Sequence, residues 1–430
     1  MRDVILRRVC HNFGMRRMDS RPPRARRPSF LAVTAAAVTV LAGAASASAT
    51  TYYVSPTGSD NGPGTAAMPW QTLSHVRAAA LAPGARVLLR RGATWREQLV
   101  MDRSGTSTNP IVIGAYGVGP APRITESACV KIKGSFVVVQ ALAVDRCTRA
   151  GVTVQGDHVL VRGIWTTHNI AGIEVDDTSS GSRISHNIVA ANNRMNRNTP
   201  GGSDDNGAFG ILLHGDHTLV DHNRISGSDA ASYDYGRDGA AVEIFGARWN
   251  RIHANIAIDN QAFTELGNSR SVNNVYTSNV VRSRLATSAF IVTTGSVLGT
   301  KAFHNTVVMT GSQGQGFVCS GCSGAVLQLR NNIIQARWKV GYAGGSVDED
   351  YNLFSGGILQ FNRGAHSRVG APRFVSTSDL RLLSTSPAVD RGLPGLVRAD
   401  ARGRRVPLLG RLGSTARPDL GAYERTTTSP

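Results

Sequence analysis

From Arg123 to Phe354 the chain repeats short runs in which apolar and polar residues alternate. Four of them superpose: Gly172-Ile173-Glu174-Val175, Gly210-Ile211-Leu212-Leu213, Ala241-Val242-Glu243-Ile244 and Phe263-Thr264-Glu265-Leu266. Period-two alternation sends Ile173, Ile211 and Val242, with Val175, Leu213, Ile244 and Leu266, to an inner face. Glu174, Leu212, Glu243 and Glu265 then fall on one outer row. A second pattern runs alongside: Asn followed by an apolar residue, at Asn187, Asn223, Asn255, Asn279, Asn305 and Asn332, in steps of 36, 32, 24, 26 and 27 residues. Asn tolerates a left-handed turn and hydrogen-bonds its own backbone, and stacked copies form a ladder. The spacing predicts a solenoid with a coil of 22–26 residues and insertions in its first two long steps, at 191–207 and 227–238. Insertions on one side of such a fold build its binding face. These two flank the strands of Glu243 and Glu265, so the site is expected there.

The ends carry other signals. Leu73–Leu81 has helical spacing and stops at Pro83-Gly84, before the apolar Val87-Leu88-Leu89. A solenoid needs such a cap because its terminal coil exposes an unpaired edge. The opening Tyr52-Tyr53-Val54-Ser55-Pro56-Thr57-Gly58-Ser59-Asp60 continues through Gly62-Pro63-Gly64-Thr65 to Pro69-Trp70-Gln71-Thr72-Leu73. It resembles the start of secreted right-handed parallel β-helix proteins of the pectate-lyase-like superfamily. Ser386–Gly392 and then Asp419-Leu420-Gly421-Ala422-Tyr423-Glu424 resemble the segment that closes many of them. The resemblance covers most of residues 50–425 and implies an all-β, right-handed parallel β-helix with a short N-terminal capping helix and a C-terminal cap. It speaks for architecture and leaves the substrate open. The expected organisation is a leader at 1–49, an N-terminal cap and first coils at 50–122, a coiled core at 123–355, and a capping segment with a basic tail at 356–430.

Composition sharpens this. Of 430 residues 47 are Gly and 6% are aromatic, which leans toward an all-β repeat. Four arginines in Arg21–Arg27 precede the apolar run Leu31–Ala44, and Ala47-Ser48-Ala49 offers a cleavage site. The run is too short to span a bilayer, so it reads as a secretory signal, with Met18 as a plausible true start. Arg26-Arg27 hints at twin-arginine export beside the general route, although Pro28-Ser29 puts one residue too many before Phe30. A secreted, extracellular protein without a transmembrane segment is expected. Of the formal +18, residues 1–49 carry +7, residues 363–425 carry +7 and residues 151–290 carry −3. A basic tail would hold the protein on an anionic cell wall or polysaccharide; arginines solvated in an arginine-biased chain are the plainer account. No aromatic-interleaved basic stripe points to nucleic acid, and a monomer is expected. Cys10 lies in the leader. The other four cysteines suit two disulfides, Cys129 with Cys147 as stacked neighbours and Cys319 with Cys322 in a tight loop; a lone Cys-x-x-Cys is weak evidence for zinc.

The three glutamates of residues 151–290, Glu174, Glu243 and Glu265, all fall on the outer row. Glu243 and Glu265 stand 265 − 243 = 22 residues apart, one coil, which would set them about 4.7–4.9 Å from each other. Like charges so placed repel; catalysis or a cation would account for them. Two carboxylates about 5–5.5 Å apart suit retaining glycoside hydrolysis, one as nucleophile and one as acid/base. Mutual repulsion would keep one of them protonated. Asp238 is a third candidate catalytic group. The bland alternative pairs the glutamates with Arg248, Arg251 or Arg270. Candidate substrate contacts are His214, Tyr233, Tyr235, Arg237, Phe245, Trp249 and Glu174. The resemblance also implies an alternative, β-elimination on a uronate polymer, with a lysine or arginine base and calcium on aspartates. No lysine lies between Lys133 and Lys301, so Arg237 or Arg251 would serve as base, and Asp204, Asp205 and Asp234, with Asp238, would be the calcium ligands. The third reading is a non-catalytic, wall-associated glycan-binding solenoid.

Overall fold

The structure, a computed structural model, describes residues 49–408 and 416–426. The leader expected at 1–49 lies outside them except for Ala49. Each coil lays down three short strands, and equivalent strands of successive coils pair in parallel. The first face is a 12-stranded parallel sheet from Thr51–Val54 to Asp348–Asp350. The second holds Trp165–Thr167, Ile188–Ala190, Arg224–Ser226, Ile256–Ile258 and Val280–Ser283 among its strands. The third holds Ala171–Val175, Phe209–Leu213, Ala240–Ile244, Ala262–Leu266 and Thr287–Thr294. The last two faces join because Ile333–Ala343 runs through a corner and pairs with both Thr306–Met309 and Gln313–Ser320. The chain is thus a parallel β-helix.

The inner rows fill the solenoid. Val161, Ile184, Val220 and Ile252 from the first face meet Val189 and Ile225 from the second and Ile173, Ile211 and Val242 from the third, all fully buried. Each such side chain contributes about 1.5–3 kcal/mol of transfer free energy. The expected helix is shorter than its spacing suggested, Leu73–Ala78. Thr72 caps it by accepting the His75 N–H, and Leu73 and Val76 press onto the first coil. No helix among the described residues is long and apolar enough to cross a membrane.

The asparagine ladder runs along the corner between the first and second faces. The Asn223 side-chain oxygen accepts from both the backbone N–H and Nδ2 of Asn187, each at 2.9 Å. The pattern continues through Asn255, Asn279, Asn305 and Asn332 to Asn352. One detail of the expectation changes: the left-handed residue is the one before each asparagine. His186, His222, Ala254, Ser278, His304, Asn331 and Tyr351 take φ between 52° and 57°. The corner is turned there, which frees the asparagine to point its amide inward. Both disulfides form as paired in the sequence, Cys129–Cys147 and Cys319–Cys322.

The tail closes the fold by lying back along the second face. Val280 and Val308 are covered by Leu380 and Ala422, and Ile333 and Leu353 by Leu382, Val389 and Leu420.

Candidate active site

Both insertions leave the same corner, between the second and third faces, in adjacent coils. Each folds into a small antiparallel hairpin, Met195–Arg197 with Asn206–Gly207 and Ala230–Ser232 with Gly236–Asp238. Gly207 and Gly239, at φ 153° and 140°, return the chain to the third face. A Cβ on Gly239 would lie 2.5 Å from the Ser228 carbonyl oxygen, and one on Gly207 2.6 Å from Met195 Cα, so neither site admits a side chain. The hairpins are tied to one another. Ser232 Oγ and the Asp234 N–H donate to Asp205 Oδ2 at 2.5 and 3.0 Å, the Asp205 N–H donates back to Asp234 Oδ2 at 3.1 Å, and Asn198 Nδ2 donates to the Ala231 carbonyl at 3.0 Å. Together they overhang a cavity of about 440 Å³ on the outer side of the third face.

Glu243 and Glu265 stand in that cavity as direct cross-strand partners on neighbouring rungs. Their neighbours Val242, Ile244 and Leu266 belong to the core, so the acids face outward, yet the hairpins leave them 7% and 8% exposed. Asp238 joins them from the end of the second hairpin, its Oδ1 accepting the Gly239 N–H at 2.7 Å. His214, Tyr235 and Phe245 also line the cavity. His214 Nδ1 donates to the Phe245 carbonyl at 3.0 Å, and its Nε2 lies 3.9 Å from Glu174 Oε1. Beneath the pair the core is locally polar. Val242 pairs with Thr264, whose hydroxyl is 2.8 Å from Tyr276 Oη reaching across the solenoid. Burial pushes the Tyr276 hydroxyl pKa upward, and the Glu243 charge adds to that shift.

Four expected contacts lie elsewhere. Glu174 shares the outer row, but Arg149 clamps it through two bonds of 2.9 and 2.7 Å, and it does not line the cavity. That hydrogen bonding, with the carboxylate charge, raises the Arg149 pKa against its burial. Arg237 is held bidentate by Asp229 at 2.9 and 2.6 Å and does not line the cavity. Tyr233 sits at the second hairpin's tip, 64% exposed. Trp249 belongs to another corner, stacked on His217 with Arg248 above it. Of the arginines expected beside the glutamates, Arg248 pairs with Asp216 at 2.9 Å and Arg251 sits on the first face, while Glu174 takes Arg149.

The aspartates do not make a calcium cage. Asp204 accepts from the Thr199 N–H and Oγ1, and Asp205 and Asp234 spend oxygens on the inter-hairpin ties. Asp234 does not line the cavity. Asp205 Oδ1 is buried with no partner among the described residues, one oxygen where calcium takes about 6–8. Among the described residues the trio of groups drawn within 4.8 Å is His186, Asp221 and His222, on the far side. There Arg183 already binds Asp221 at 2.8 and 2.7 Å, His222 Nδ1 lies 2.8 Å from the same carboxylate, and the His186 and His222 rings are stacked 7° from parallel. Burial works to raise the Asp221 pKa, and the Arg183 and His222 bonds outweigh it to hold the pKa low.

Sequence reasoning missed Arg149, Arg197, Asn196 and Phe209, all in the cavity wall. Arg149-Ala150-Gly151 aligns with Ile170-Ala171-Gly172 and Ala208-Phe209-Gly210, so extending the strand alignment by two residues would have placed Arg149 and Phe209 at the site corner.

No family model matches the chain. An uncharacterized protein of Bacillus subtilis (strain 168), YwoF, is 33% identical over 138 residues, a match spanning 27% of this chain and 29% of that protein. Among solved structures, pectate lyase Pel9A is similar, with a TM-score of 0.61 at 17% identity over 87% of this chain and 96% of its own. A rhamnogalacturonan lyase gives 0.53 at 13% identity, over 76% and 91%. The GH136 lacto-N-biosidase from Eubacterium ramulus gives 0.51 at 16%, over 75% and 67%. These likenesses are of fold: the parallel β-helix that the sequence resemblance implied.

Proposed function

We propose that this chain is a carbohydrate-active enzyme that hydrolyses a glycosidic bond in a polysaccharide laid along the third face. One observation carries the reading: Glu243 and Glu265 are paired on adjacent rungs beneath two hairpins that exclude most water. Rungs lie about 4.8 Å apart, close to the roughly 5–5.5 Å of retaining enzymes. One carboxylate attacks the anomeric carbon while the other protonates the departing oxygen and then activates water against the glycosyl-enzyme. The pair must share one proton for this, which neighbouring carboxylates do. Asp238 supports a sugar hydroxyl beside them, and Tyr235 and Phe245 offer apolar ring faces to the sugar.

The fold neighbours are named for both lyase and glycosidase activities, so they support action on carbohydrate and leave the bond-breaking step to the residues. β-Elimination is less well supported. The expected bases Arg237 and Arg251 stand away from the cavity, leaving Arg197 as the candidate there, and the aspartates do not fit calcium. Export through the leader is part of the reading, and the basic tail would favour a wall-associated setting.

The test is a panel of polysaccharides treated with the secreted chain. New reducing ends should appear without the ultraviolet absorbance of an unsaturated uronate. Glu243→Gln and Glu265→Gln should each lower the rate by about 10²–10⁴-fold, the scale of a lost acid/base group. Absorbing products would replace the reading with the lyase; glycan binding without turnover in the unaltered chain would replace it with the non-catalytic solenoid.

A further inference from the structure

The charge inside the cavity speaks to the substrate. Its wall presents five carboxylates, Asp204, Asp205, Asp238, Glu243 and Glu265, against two guanidinium groups, Arg149 and Arg197. Arg149 is already committed to Glu174, which lies behind it. Even with one proton held between Glu243 and Glu265, four carboxylates face those two cations. The local balance agrees with residues 151–290, at −3, and opposes the basic tail. The acids are also shut off from bulk water: Asp205, Glu243 and Glu265 are 3%, 7% and 8% exposed. A polyuronate brings one carboxylate per sugar into this space, and the aspartates that would recruit calcium to offset it are spent on hairpin ties.

We infer that the cavity takes a glycan free of carboxylates, one whose sugars offer hydroxyl or amino donors, and rejects polyuronates. The inference rests on the active-site reading above and deepens it. Hydroxyl and ammonium groups donate to carboxylates, so the acids that repel a uronate become its competitors' acceptors. Phe209, Leu212 and Phe245 supply the apolar complement. The neutral and the amino sugar share this chemistry, and the experiment separates them.

Calorimetry on Glu243→Gln, with chelator present, should compare xylo-oligosaccharides, chitosan oligomers and oligogalacturonates of equal length. At least one carboxylate-free set should bind, and oligogalacturonate should bind at least about tenfold more weakly, with its affinity rising as salt screens the repulsion. Chitosan oligomers binding best, and weakening with salt, would mark an amino sugar; xylo-oligosaccharides binding with little salt dependence would mark a neutral one. Asp204→Asn should narrow the gap between oligogalacturonate and the favoured set, and a gap left unchanged or widened would count against the charge argument. Tightest binding by oligogalacturonate, or binding by none of the three, would overturn the inference. The readout is independent of turnover: hydrolysis persisting in Glu243→Gln would undo the catalytic assignment and leave the charge argument intact.

Discussion

Two corners of the same coils have been put to opposite uses. Between the first and second faces, seven asparagines from Asn187 to Asn352 follow one another without a break. Between the second and third faces a similar ladder begins, with Asn169 Nδ2 donating to Asn192 at 2.8 Å, and then fails. The next rung is Ser228, whose hydroxyl is buried without a partner among the described residues, before Asn260 resumes the pattern by accepting the Ser228 N–H at 3.0 Å. The hairpins leave the chain directly after Asn192 and Ser228, where the ladder is interrupted. A buried amide ladder is worth most when every rung is satisfied, so an unbroken run of asparagines holds its coils together more firmly than an interrupted one. The broken corner gives up that satisfaction and gains a roofed cavity.

If the division is real, the two corners should fail differently. Replacing residues 229–238 with a two-glycine link should abolish glycan binding and turnover while leaving the circular dichroism of the coils intact; unfolding on excision would mean that the hairpin is structural. At the intact corner, Asn279→Ala removes the acceptor of the buried Asn255 N–H and Nδ2 and the donor to the Ile252 carbonyl, at about 1–3 kcal/mol each. Chemical denaturation should show a loss on the order of 3 kcal/mol, with turnover of the surviving folded protein unchanged. Beneath the site, Tyr276→Phe leaves the Thr264 hydroxyl buried without its partner. A loss of about 1–2 kcal/mol is expected, and if the bond also positions the strand of Glu265, kcat should fall while KM holds.

The smallest effect belongs to the tail. Burial pushes Asp419 up to about 7 and Glu424 up to about 8 from 3.8 and 4.5. The folded tail therefore holds protons that the unfolded chain releases, and their contribution is full below pH about 4 and lost as pH rises through 7–8. His304, pulled down by burial to about 4 from 6.5, works in reverse and costs stability as pH falls through that window. Limited proteolysis of the tail should accelerate from pH 6 to pH 8, and Asp419→Asn should flatten the dependence; an unchanged rate would show that the carboxyls titrate normally.

Much of this was legible in the chain. Period-two alternation with a recurring Asn-apolar pair gave the coil, its corner and the rung shared by Glu243 and Glu265, because a solenoid turns sequence offset directly into position. The second ladder was legible too: Asn192, Ser228 and Asn260 follow Asn187, Asn223 and Asn255 by five residues each. The cavity walls were not. Whether Arg237 or Arg149 enters the cleft depends on which acid captures it, Asp229 or Glu174, and hairpin geometry fixes that without a periodic signal. Asp204, Asp205 and Asp234 looked like ligands because they lie in the two insertions that flank the site; loop backbone N–H groups claimed them first, as short acidic side chains in turns commonly allow.

The most direct test of the paired-rung centre is the anomeric configuration of the first sugar released, followed by NMR before mutarotation. Carboxylates on adjacent rungs predict retention. Inversion, which needs the acids roughly 6.5–9.5 Å apart, or an unsaturated product, would contradict Glu243 and Glu265 as the reacting pair.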